Sequence, residues 1–384
     1  IRRPPRSTPS NSSAASDVYK RQPIDQYYAT HHELFMSKPL DQLVVDLDNR
    51  FIREKHVTCG LYEFGPVLCD SDRSLLGDGF YDALVEKRKD FKPIGGRWIP
   101  HTRVSIRSSS SGSYSIMLGN TELGTISGDK VFSEAYLGAI YDHFGSSYRV
   151  TQHGAHEITV EVCNEPIYTK PLRYWSIQRP PAGLIAGRRW AVNSLVASLY
   201  FGAIEVQEHF SGYVEYDDKT HELINRIDVQ PILRQYETKA FWIDLDWRLP
   251  PSDVDIYNSV HVLEHAIRNV IPFVVPCDPY DVCGLSQKAG ADTIPCLYIY
   301  DTVEGGMGIS EKTYHIFGEI LAHGYKLVSS CKCKKGCPKC VQIPRCHEEN
   351  QNLDKKSGLT LMEAMIALLK EPFEQLDLEA GTWR

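Results

Sequence analysis

The chain has 384 residues, a formal net charge of −7 and an ordinary globular composition, with 42% hydrophobic and 24% charged residues. This length holds two or three domains, and the net acidity excludes a uniformly basic nucleic-acid coat, so any contact with phosphate must come from local patches. No apolar run approaches the ~20 residues of a membrane helix, no signal peptide is evident, and Cys59, Cys69, Cys163, Cys277, Cys283 and Cys296 show no disulfide framework, which points to a reduced, cytoplasmic chain with no membrane partner.

Residues 1–22 are rich in Ser, Pro and Arg and lack an apolar period. They look like translated adapter read-through, so they are set aside from the fold argument and the native chain is expected to begin near Pro23. Residues 23–100 read as short helices followed by a turn and a strand, a pattern compatible with a winged helix. Asp48 is the expected cap of a helix carrying Phe51, Ile52, Val57 and Leu61, and Asp78 of a second with Tyr81, Leu84 and Val85.

Residues 101–250 turn β-rich. Short alternating runs such as Tyr114–Met117, Glu122–Ile126 and Ile158–Val162 lie between Ser, Gly and Asn turns and suggest a small antiparallel barrel or sandwich. Val192–Phe201, Glu205–Tyr216 and Ala240–Leu245 are further strands, and Arg179–Gly183 reads as a linker.

Residues 251–384 read as an α/β domain. Ile256, Val260, Leu263, Ile267 and Val270 repeat at helical spacing. Ile271–Pro276 reads as a strand, and Leu297–Tyr300 as another that ends in Asp301. A helix with Tyr314, Ile316, Phe317, Ile320 and Leu321 follows, and a last one runs from about Leu359 to Leu369. The fold class expected is therefore α+β and multidomain: a winged-helix-like region, a small antiparallel β region, and a C-terminal α/β domain closed by a metal knuckle.

That knuckle is Cys331–Cys346, CKCKKGCPKCVQIPRC. Cys331, Cys333, Cys337 and Cys340 follow C-x-C-x3-C-x2-C, and thiolates this close in sequence can wrap one tetrahedral ion. Gly336 and Pro338 shape a tight turn between them. Structural zinc is the reading favoured over an iron–sulfur cluster, and Cys346 is a further candidate ligand. Lys332, Lys334, Lys335, Lys339 and Arg345 surround the cysteines with no acid between Cys331 and Cys346, so they are the candidate nucleic-acid-binding residues.

Four weaker patterns remain. His261-Val262-Leu263-Glu264-His265 has the H-x-x-E-H form of a zinc peptidase, although the favoured reading is a helix whose polar side packs on another domain or faces water. Gly305, Gly306 and Gly308 lie between a strand and a helix, where backbone amides can cradle phosphate, or where a tight turn simply needs positive φ. Asp278 and Asp281 could bind a cation or serve as Asx turns. Trp98, Tyr114 and Trp190 are candidates for stacking on unpaired bases, or core residues. No Walker A loop, D-E-x-H box or arginine-finger run occurs.

These stretches together resemble the C-terminal half of the YprA/MrfA-type superfamily-two DNA helicases, including their zinc-binding C-terminal domain. The carrying residues are Pro23–Tyr28, Gly138–His143, His261–His265, Cys277–Val282, Tyr300-Asp301 with Gly305–Gly308, and the cysteine stretch running into Asn352–Lys355. The chain departs from the family at Cys283, where glycine is usual, and at Glu304, where proline is usual. The resemblance implies an accessory region of an ATP-dependent 3′–5′ DNA helicase linked to DNA repair, with Cys331, Cys333, Cys337 and Cys340 as zinc ligands. It implies RecA-like motor domains upstream in the same protein, and DNA, single-stranded or forked, as partner. A zinc peptidase built on His261, Glu264 and His265, or a protein-binding zinc scaffold, are the alternatives.

Overall fold

A computed structural model describes residues 113–287 and 294–376, together with 30–37, 43–46, 49–64 and a few single positions between 71 and 101. The tail 1–22, most of the winged-helix-like region and Trp98 lie outside these residues. The chain divides into two compact units. Ile1–Leu43 contributes the short helix α1 (His32–Ser37), and Val44–Arg384 holds everything that follows.

Helix α2 (Arg50–Phe64) falls where the apolar pattern places it, but its cap is one residue later than expected. The Asn49 side-chain oxygen accepts from the amides of Phe51 and Ile52 at 3.0 and 3.1 Å, which satisfies two of the donors that a helix start leaves open. Asn49 also donates to the carbonyls of Glu304 and Gly306. The choice of cap is therefore a tertiary one.

A five-stranded sheet follows, from β1 (Ser113–Leu118), β2 (Thr121–Ser127), β3 (Ile140–His143), β4 (Ser146–His153) and β5 (Glu157–Val162), in the order β2-β1-β5-β4-β3. A single turn of helix, α3 (Val131–Glu134), sits between β2 and β3. Ile116, Ile158 and Val160 point to one face, as period-two alternation requires, and bury against Ile126, Val131 and Phe210. One pairing departs from the expected antiparallel sheet: β1 and β5 run parallel. The intervening α3, β3 and β4 supply the long crossover that parallel neighbours need.

The second sheet has seven strands: β6 (Ile167–Gln178), β7 (Leu184–Val192), β8 (Leu195–Asp217), β9 (Leu223–Trp247), β10 (Val282–Gln287), β11 (Cys296–Asp301) and β12 (Glu374–Gln375). Its order is β10-β11-β9-β8-β7-β12, with β6 paired to β8. The sheet therefore crosses residue 250, so the expected β-rich and α/β regions share one hydrogen-bonded framework. The two strands expected at Val192–Phe201 and Glu205–Tyr216 are one, β8, which runs through Gly202. A side chain at Gly202 would meet the Gly183 carbonyl oxygen at 2.3 Å, so this glycine permits close approach rather than ending a strand. The expected linker, Arg179–Gly183, turns β6 into β7.

Helices α4 (Ile256–Val274), α5 (Ile309–His315), α6 (Phe317–Ser330) and α7 (Lys355–Leu368) cover one face of this sheet. The core between them includes Leu199, Phe241, Ile243 and Leu297 from the strands and Leu263, Ile267, Ile320 and Met365 from the helices. The expected strand Ile271–Pro276 is instead the last turn of α4. A short apolar run does not distinguish buried helix from buried strand, and Pro272 is tolerated close to the helix end. Trp190 is buried in this core against Phe373, and Tyr114 packs against the small sheet.

Candidate metal centre and basic face

The chain leaves α6 at Ser330 and enters the cysteine stretch directly. Four sulfurs converge there: Cys331 lies 3.6 Å from both Cys333 and Cys337, Cys333 is 3.5 Å from Cys340, and Cys337 is 3.8 Å from Cys340. Sulfurs held about 2.3 Å from one tetrahedral zinc stand about 3.8 Å apart. The donor set therefore fits a single zinc ion, as four thiolates with no oxygen among them would require.

Local geometry explains the convergence. The amides of Cys340, Val341 and Gln342 all donate to the Cys337 carbonyl, at 3.0 to 3.1 Å, closing a turn that points Cys337 and Cys340 the same way. Gly336 precedes it at φ 111°, and a Cβ there would come within 2.5 Å of Val341. Only glycine fits. The thiols respond unequally to their crowding. A hydrogen bond from the Cys333 amide pulls Cys331 down to about 7, and burial pushes Cys340 up to about 12. A cation removes the conflict by taking all four as thiolates.

Three anchors outside the stretch hold it. Asn269 on α4 donates to the Cys340 carbonyl at 2.9 Å, and His265 Nδ1 meets the Val341 carbonyl at 2.6 Å. The buried Lys355, first residue of α7, donates to the carbonyls of Cys331 and Cys333 at 2.6 and 2.9 Å and stands 3.6 Å from Cys333 Sγ. A zinc tetrathiolate carries a formal charge of about −2, and Lys355 brings a counter-charge to it. Its role could not be read from spacing. The one signal is that a lysine follows the capping residue Asp354 at the start of a helix, where acids are usual.

The remaining lysines point outward. Lys332, Lys334, Lys335 and Lys339 are all exposed, on a turn whose backbone is fixed at both ends by the cysteines. Arg345 is also exposed, but its guanidinium lies 4.2 Å above the Tyr280 ring, so it is partly engaged.

The other sequence patterns come out as follows. Glu264 is buried and pairs with Arg268 at 3.2 Å, where it cannot swing to a peptide, and the polar side of α4 packs on the knuckle and the loop beyond it. Gly305, Gly306 and Gly308 adopt φ of 80°, 89° and 89°. Their loop amides are already engaged. Gly305 donates to Glu237 and Gly306 to Val303. The buried Asp301 carboxylate accepts from the amides of Met307, Gly308 and Ser310 at 2.6, 3.0 and 2.9 Å. The tight turn accounts for these glycines, and an internal carboxylate occupies the place a phosphate would take. Asp278 and Asp281 cap each other's turn, with Tyr280 donating to Asp278 and Asp278 to Asp281. Cys283 lies 3.6 Å from His347, and although burial pushes its thiol up, Arg268 and His347 outweigh that and bring it to about 6.

Residues 263–341 match the family model of the MrfA Zn-binding domain. The chain is 24% identical over 394 residues to the ATP-dependent helicase hrq1 of Schizosaccharomyces pombe, a match covering 92% of this chain and 36% of that protein. It is 23% identical over 343 residues to the ATP-dependent helicase YprA of Bacillus subtilis, covering 83% of this chain and 44% of that one. Among solved structures, the DUF1998 helicase MrfA bound to DNA shares the fold, with a TM-score of 0.53 and 21% identity over 90% of this chain and 46% of the other. The chain thus spans less than half the length of these two helicases. No described helix is long and apolar enough to cross a membrane.

Proposed function

From this kinship with ATP-dependent helicases, carried by an MrfA-type zinc-binding domain, we propose that the chain is the accessory, DNA-engaging region of such an enzyme. Cys331, Cys333, Cys337 and Cys340 hold a structural zinc ion. Lys332, Lys334, Lys335 and Lys339, with Arg345 beside them, meet the phosphates of a single-stranded or forked DNA. The RecA-like motor that hydrolyses ATP and drives 3′–5′ movement belongs to residues outside this sequence, and the setting is DNA repair in the cytoplasm. The observation that carries the reading is the placement of four exposed lysines on a turn clamped by four cysteines. Rigid positive charges attract a backbone without selecting a base sequence, and each phosphate neutralised adds about 0.7 to the slope of log affinity against log salt for a single strand.

Fluorescence anisotropy with a labelled oligonucleotide tests this. Binding should weaken steeply with salt, and neutralising Lys332, Lys334, Lys335 and Lys339 together should flatten the slope by about 3. A slope unchanged by the four substitutions would show that DNA is gripped elsewhere. Saturating DNA with no binding at low salt would favour a protein-binding scaffold.

A further inference from the structure

A second group of ligating atoms lies on α4, outside the four-cysteine centre. His261 and His265 sit one helical turn apart with their rings 4.4 Å from each other, and Cys346 comes over them from the loop beyond the knuckle, its sulfur 3.3 Å from His261 Nε2. One ligand atom from each of the three lies within 4.8 Å of the other two. Both histidines are buried, at 2% and 0% exposed.

The decisive observation concerns protons. His265 Nδ1 is committed to the Val341 carbonyl, so it carries the hydrogen and Nε2 presents a lone pair. That Nε2 is buried and has no hydrogen-bond partner among the described residues. A buried acceptor left unsatisfied is costly and rare. His261 is placed differently: its Nε2 faces the sulfur, while its buried Nδ1 has no hydrogen-bond partner among the described residues and stands 3.8 Å from a Glu348 carboxylate oxygen. Carboxylates and backbone carbonyls behind histidines are how ligating imidazoles are oriented. The Glu348 carboxylate is itself held, by Asn352 at 2.9 Å and by the Tyr257 hydroxyl. The Glu348 amide donates to the Cys346 sulfur at 3.3 Å. An S–H···N hydrogen bond would satisfy Cys346 and His261 Nε2 alone and leave His265 Nε2 stranded.

We propose that His261 Nε2, His265 Nε2 and Cys346 Sγ hold a second divalent cation of the zinc class, with a fourth position left to water. In such a site ligand atoms stand about 3.5 Å apart, and the Cys346 Sγ–His261 Nε2 separation of 3.3 Å is already close to that. The matched zinc-binding domain ends at residue 341 and begins at 263, so it contains neither Cys346 nor His261. The chemical consequence is a clasp: the ion fastens the loop carrying Cys346 to α4, next to the place where Val341 already rests on His265.

The test is metal stoichiometry on the full chain, loaded with zinc and passed over a weak chelator to strip loosely held ion. Two zinc ions per chain are expected for the unaltered protein, and one for Cys346→Ser and for His261→Ala. Cys337→Ser should lose the other ion and keep this one. Loading with Co2+ gives a second readout: two sets of visible bands, of which one disappears in Cys346→Ser while the four-thiolate band persists. One ion per chain in the unaltered protein under excess zinc overturns the proposal whatever the variants do. So do two ions that survive both His261→Ala and Cys346→Ser.

Discussion

Lys355 offers the sharpest test of how the knuckle is held. Its ammonium is 5% exposed as a residue and donates to two carbonyls of the cysteine loop at 2.6 and 2.9 Å. Lys355→Met keeps the length and apolar stem of the side chain but removes the charge and both bonds. Each bond from a charged donor contributes about 1.5–3 kcal/mol, and stripping one partner from a buried ionic arrangement costs about 3–5 kcal/mol. The folded α/β region should therefore lose roughly 3 kcal/mol, and zinc affinity should fall about 10- to 100-fold, the usual consequence of removing a group that steadies a metal site. Competition with a chromogenic chelator reads the affinity, and denaturant unfolding read by tryptophan fluorescence gives the stability. The control is Lys356→Met, next in sequence but exposed and paired with Asp253 on the surface, which should leave both readouts near those of the unaltered chain. Equal zinc affinity and equal unfolding for Lys355→Met and Lys356→Met would refute the idea that Lys355 balances the thiolates.

Chelation, or Cys337→Ser, should loosen the four-cysteine loop that follows α6, because metal binding and local folding are coupled; limited proteolysis should then cut between residues 331 and 341, and an unchanged cleavage pattern would contradict this. Asp301→Asn should destabilise by about 2–4 kcal/mol, since the buried carboxylate satisfies the amides of Met307, Gly308 and Ser310 and an asparagine cannot accept from all of them; an unchanged denaturation midpoint would count against that role. Asn49→Ala should cost about 1–2 kcal/mol by removing both the cap of α2 and the bonds to the 304–306 loop, measured as faster amide exchange at Phe51 and Ile52; unaltered exchange there would show that the cap contributes nothing.

Much of the metal centre was legible from spacing, because four cysteines within one turn-rich stretch have few ways to arrange themselves and the chain delivers all four sulfurs to one point. The helices of the C-terminal part were also legible, since Val260, Leu263, Ile267 and Val270 mark a stripe that the core indeed buries. What spacing could not show was partnership across the fold. Lys355, Asn269 and His265 reach the knuckle from two different helices, and no local pattern announces a contact between residues 76 positions apart. The same limit left two readings of the glycine loop open. Gly305, Gly306 and Gly308 do adopt positive φ, but only the fold reveals that Asp301 fills the anion position. Strand lengths were underestimated for a related reason: Gly202 resembles a break in sequence, whereas in β8 it lets the Gly183 carbonyl pass close by. The extent of the large sheet was hidden because β9 and β11 pair across the whole of α4.

Lysine footprinting shows whether the zinc-braced turn grips DNA. The zinc-loaded chain is acetylated briefly with and without a saturating single-stranded oligonucleotide, and each lysine is quantified by mass spectrometry. Lys332, Lys334, Lys335 and Lys339 should be shielded by DNA, while Lys312, Lys326 and Lys370, exposed elsewhere on the same α/β face of the protein, should react as before. Knuckle lysines that react equally with and without DNA, while lysines elsewhere become shielded, would contradict the assignment of this zinc-braced turn as the DNA-gripping surface.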